Sequence, residues 1–104
     1  MFHAYQIALD AIGCLRSVVP EIRKHDADLA KQMQRAASSI TLNLNEGSRR
    51  FGLDRKHHYR IAAGSASEVI AVLDTASAWG WTVNGDPARE ELDHLLAILW
   101  KVTQ

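Results

Sequence analysis

QRAASSITLNLNEG, residues 34–47, carries two interleaved helical stripes, and their spacing decides the fold. Leu29, Met33, Ala36, Ile40 and Leu44 recur every three or four residues, the pattern of a helix face turned toward a core. Arg35, Ser39, Asn43 and Glu46 follow at steps of four, four and three on a neighbouring face, where they make a ladder of hydrogen-bonding groups. One helix thus presents a packing face beside a polar one. Neither face holds a recognisable catalytic set.

Upstream, Tyr5, Ala8, Ile12, Leu15, Val19 and Ile22 advance at the same spacing and predict a first helix. Pro20 disturbs it, so the helix either stops before Pro20 or continues as a kinked extension to about Lys24. Asp26 or Asp28 can cap the second helix, which fades at Gly47, with Arg49 and Arg50 placed to meet its negative end. Downstream, Asp54 is the expected cap of a third helix with His58, Ala62, Ala66, Val69, Leu73 and Ala76 inward, ended by Gly80. Asp86 before Pro87 predicts the start of a fourth, faced by Leu92, Leu95, Leu96, Leu99 and Val102. No stretch alternates with period two, and no linker or repeat divides the chain. The expected fold is all-α: residues 1–104 as a single antiparallel up-down-up-down four-helix bundle.

Composition narrows the setting. The single cysteine, Cys14, cannot form an internal disulfide and sits among Ile12, Leu15 and Val18, as expected of a buried thiol in a reducing compartment. The N-terminal stretch is interrupted by Gln6 and Asp10 and lacks a basic leader, so neither a signal peptide nor a membrane span is expected. A cytoplasmic location follows as the expectation. Net charge is zero, yet residues 31–60 hold seven cations against two carboxylates, a net of +5. Residues 61–104 carry a net of −4. Such a split suits an anionic partner or head-to-tail association of copies.

Four candidate sites follow. Arg35, Ser39, Asn43, Glu46, Ser65 and Glu68 are expected to form a polar network between the second and third helices, since buried polar groups need partners. Gly47 and Gly64 mark expected close helix contacts, because a helical glycine costs about 1 kcal/mol relative to alanine unless packing compensates. The basic cluster Arg49, Arg50, Arg55, Lys56 and Arg60 gathers at one end of the bundle, as a solvated face complementing helix ends or as a surface for RNA or DNA. Trp79, Trp81 and Trp100, with Phe2 and Phe51, serve either as subunit anchors or as caps of the bundle ends. Metal chemistry finds only one Glu-x-x-His spacing, Glu91 and His94, beside the pair His57-His58, so no metal or cofactor is expected. Ser38 and Ser39 lack a His and an acid arranged around them, and no enzyme is expected.

QRAASSITLNLNEGSRR resembles the helix-two signature of the bacterial four-helix bundle proteins encoded in intervening sequences of large-subunit ribosomal RNA genes. Arg35, Ala36, Ser39, Ile40, Asn43, Glu46 and Gly47 match that signature, and Ala62, Gly64, Ser65 and Glu68 match a second one in helix three. Asn45 and Trp81 depart from it. The resemblance implies a cytosolic bundle assembled as a ring of five, similar to the accessory proteins of diversity-generating retroelements, which bind nucleic acid and a reverse transcriptase. The function expected is a non-enzymatic homo-oligomeric scaffold, pentameric by that resemblance. The alternative is a nucleic-acid-binding accessory protein using the basic end.

Overall fold

The computed structural model of the chain describes residues 2–104, the Phe2 side chain excepted, so the reading of Phe2 as an anchor lies outside what is described. Five helices follow in order: α1 (Phe2–Leu15), α2 (Val18–His25), α3 (Ala27–Ser48), α4 (Gly52–Trp79) and α5 (Asp86–Val102), with no strand among the described residues. The fold is all-α. Where a single first helix is expected, either ending before Pro20 or kinked there, there are two, and the break falls at Arg16–Ser17 rather than at Pro20. Pro20 is the third residue of α2, inside the first turn, where its missing N–H had no helical partner to lose.

The break sends the two pieces to different neighbours. α1 lies chiefly against α5, α2 packs on α3, and α3 runs along α4 as the most extensive pairing. At about 1.5 Å per residue the 28 residues of α4 reach about 42 Å, the full long dimension of the 42 × 22 × 20 Å molecule. α4 is therefore the rod along which α3 and α5 are laid, while α1 rests on α5 and α3, and α2 on α3.

The core holds Met33, Ala36, Ile40 and Leu44 of α3, Ala62, Ala66, Val69, Leu73 and Ala76 of α4, and Leu92, Leu95 and Leu99 of α5, all as the stripes predict. The first helix is rotated from its expected seam. Ala4, Ile7, Ala8, Ala11 and Leu15, then Val18 and Ile22 of α2, are buried, while Tyr5, Ile12 and Val19 are only half-buried. These helices carry a second apolar stripe, so periodicity alone could not choose between them. Val102, expected inward, is exposed, and Cys14 is half-buried rather than buried.

Helix ends differ in detail. Asp26 caps α3 through its side chain, accepting from the Leu29 N–H at 3.0 Å. Asp54 and Asp86 do not cap: α4 starts two residues before Asp54, and the residue preceding α5 is Gly85 with no side-chain cap bond. Gly52 has φ +58°, a left-handed turn that glycine adopts without strain, and it lets the chain enter α4 immediately after Phe51. Gly80, with φ +84°, ends α4 as expected. The Trp81 N–H bonds to the Ala76 carbonyl at 3.0 Å and the Gly80 N–H to Ser77 at 2.9 Å.

Candidate functional site

Three of the six residues of the expected polar network meet between α3 and α4, joined by His58. Asn43 Nδ2 donates to the Ser39 carbonyl at 3.0 Å and to Ser39 Oγ at 3.1 Å, and Ser65 Oγ donates to Ser39 Oγ at 2.9 Å. Asn43 Oδ1 lies 3.0 Å from His58 Nδ1. A carbonyl only accepts, so the Ser39 carbonyl fixes which end of the Asn43 amide is nitrogen, and the oxygen must face His58. His58 Nδ1 is therefore the donor. In the neutral ring the bare nitrogen is Nε2.

Arg35, Glu46 and Glu68 lie outside this network and are exposed. Their spacing follows the ladder, but a helix face spans about a third of the circumference and only its inner edge reaches the neighbour. Glu46 instead pairs with Arg50 at 3.2 Å, and Asp54 takes the other nitrogen of the same guanidinium at 3.2 Å. The hydrogen bond that Arg50 donates to Glu46, then the charge of Asp54, holds Arg50 above the ordinary arginine value. Any stability drawn from this raised pKa is fully present at neutral pH and would be lost only in strong alkali, as pH rose through the folded-state value. His58 had been read as part of the apolar stripe of the third helix. The signal that could have found it was its position one turn before Ala62, opposite the polar end of α3.

Asn43→Ala should cost about 1–3 kcal/mol, because His58 Nδ1 and Ser39 lose a partner in a half-buried place. Thermal melts measure the loss, and nitrogen chemical shifts of the His58 ring should show Nδ1 protonated in the parent protein. Glu46→Ala should leave the melting temperature nearly unchanged, since an exposed pair contributes little.

The two glycines separate. A Cβ at Gly47 would run into the ring of buried Tyr59, the close approach expected there. Gly64 is exposed and a Cβ there would meet nothing within 4 Å, so it makes no close helix contact within the chain. It falls on the outer face of α4, whereas its neighbours Ala62 and Ala66 point inward.

The basic end is largely committed to helix termini. Arg55 Nε donates to the Gly47 carbonyl at 3.1 Å and Nη2 to Ser48 at 3.3 Å, closing α3. Lys56 Nζ donates to the Gln104 carbonyl at 2.6 Å and Arg60 to Thr103 at 2.9 Å, just past α5. Arg55, not Arg49 or Arg50, thus meets the end of α3. Of the five cations, only Arg49 makes no side-chain hydrogen bond or ion pair among the described residues.

Elsewhere, His94 of α5 meets His3 of α1 edge-on at 5.7 Å, and His57 meets His58 at 5.6 Å. Among the described residues no three potential metal ligands come together. At the opposite end from Phe51, Trp81 stacks on His25 at 4.6 Å with 7° between the planes, and on Trp79 at 6.4 Å. No helix of the described residues is long and apolar enough to cross a membrane.

No curated protein matches the chain. Residues 3–101 match the family described as 23S rRNA-intervening sequence protein. That match covers all five helices almost end to end, including the Ser39–Asn43 and Ser65 segments that join α3 to α4, and the chain belongs to this family.

Proposed function

We propose that the chain is a non-enzymatic, cytoplasmic scaffold that acts as a homo-oligomer, a ring of five in keeping with the resemblance. Its protomer is then a four-helix bundle in which α1 and α2 form one broken rod, running antiparallel to its neighbours. The observation that carries this reading is the amount of large apolar surface left uncovered by the single chain. Phe51 is 83% exposed, Leu53 79%, Trp79 71%, Trp100 68% and Leu42 64%. Single exposed apolar residues are ordinary, but aromatic anchors of this size are the residues that interfaces bury. α4 adds to it. Its outer face sets Leu53, Ile61, Gly64, Ala71 and Ala78 among Arg60, Glu68 and Asp74, so small and apolar residues share that face with charge.

The nucleic-acid reading draws less support from the geometry. A phosphate surface at the α3–α4 end would have to compete for Arg55, Lys56 and Arg60, which already hold helix-end carbonyls. Light scattering on the purified chain at micromolar concentration should report a mass several times 11.6 kDa. A monomer under those conditions would overturn the scaffold reading.

A further inference from the structure

Resting on the scaffold reading, we infer that the groove between α1, α2 and α3 receives the outward face of α5 from a second copy of the chain. The groove encloses about 350 Å³, with Ile12, Leu15, Val19 and Pro20 among its lining and Arg16 and Arg23 on its edge. No carboxylate lines it, and neither arginine belongs to an ion pair among the described residues.

Its occupant follows from complementarity of charge and spacing. α5 turns Asp86, Glu90, Asp93, Ala97 and Trp100 to solvent at steps of four, three, four and three, a stripe acidic at one end and apolar at the other. The second apolar stripe of α1 and α2, Leu9, Ile12, Arg16, Val19 and Arg23, advances by three, four, three and four. Laid antiparallel, the two stripes bring Leu9 to Trp100, Ile12 to Ala97, Arg16 to Asp93, Val19 to Glu90 and Arg23 to Asp86, so the carboxylate of Glu90 lies over Val19 between the two arginines. The two aspartates are seven residues apart, about 10.5 Å along α5, and the two arginines are seven residues apart in sequence, from the turn at Arg16–Ser17 to the last turns of α2. None of the three acidic residues of this face is in an ion pair among the described residues. Groove and α5 face are different surfaces of one protomer, so the contact is head-to-tail, the kind that closes rings.

The test measures mass against concentration by light scattering for the parent chain, for R16E/R23E, for D86R/D93R, and for the chain carrying all four changes. Each double variant should need at least about tenfold more protein to assemble, because like charges then face each other. The fourfold variant should recover the parent mass. All four residues changed are exposed charges, and circular dichroism confirms folding. Should a charge variant fail to fold, W100S, which alters a side chain outside the core, is measured in its place and should also weaken assembly. A parent that assembles while the double variants and W100S keep its mass overturns this interface and leaves the scaffold reading standing. A monomeric parent overturns both.

Discussion

Leu95→Ala is expected to lower stability by about 2–5 kcal/mol, the cost of a buried leucine cavity. Leu95 is fully buried at the centre of the inward face of α5, between Leu92 and Leu99. Domains of this size have only about 5–15 kcal/mol in total, so the loss takes a large share of it. The melting temperature should fall by about 10 °C or more. Leu96, one position round the helix and half-buried, should tolerate the same change at distinctly lower cost. Because the inner face of α5 positions the outer one, L95A should also weaken assembly if that outer face meets a second copy. An unfolding free energy from chemical denaturation within about 1 kcal/mol of the parent would show that α5 is not seated as described.

Gly47→Ala is the second large effect, and its sign is informative. In most helix interiors this change stabilises by about 1 kcal/mol. At Gly47 the new methyl would overlap the ring of Tyr59, which is 3% exposed and packed in the core. Overpacking of that kind costs about 1–3 kcal/mol or more, so a net loss is expected despite the gain in propensity. The same substitution at Gly64 meets open space and should raise the melting temperature of the isolated protomer by several degrees. Opposite signs for G47A and G64A, read in one pair of thermal melts, are the expected result.

Much of this fold is legible in the sequence because three of its helices bury a single stripe. α3, α4 and α5 place Met33, Ile40, Leu44, Val69, Leu73, Leu92 and Leu99 where periodicity puts them. The first segment is harder because apolar residues occupy two adjacent stripes, and only the docking of α1 on α5 and α2 on α3 selects the one with Ala4, Ile7 and Ala11. Helix count failed for a related reason. A proline in a first turn is harmless, and the actual break at Arg16–Ser17 bears no proline or adjacent cap signal beyond Ser17, whose side chain makes no cap bond.

The polar site is half legible. Ser39 and Asn43 on one helix and Ser65 on the next are small enough to lie within the interface and meet. Arg35, Glu46 and Glu68 share the periodicity but have long charged side chains that reach solvent at little cost, so spacing does not predict their contacts. His58 was obscured by its place in an apolar run. Charge is legible as a surplus in residues 31–60, but the count does not tell which cations are engaged: Arg55, Lys56 and Arg60 keep their charge while donating to backbone carbonyls.

The ties from Lys56 and Arg60 to the carbonyls of Gln104 and Thr103 link two events that would otherwise be independent. A polyanion that drew those two cations away would remove the ties to Thr103 and Gln104, the residues that follow the last turn of α5 and Trp100 within it. Whatever it gained by binding would be offset by what α5 lost in anchorage, and thermodynamic reciprocity makes the antagonism run both ways. A chain whose α5 is clamped by a neighbour would hold Lys56 and Arg60 more firmly in place and resist the polyanion. Occupancy of one surface would then report on the other.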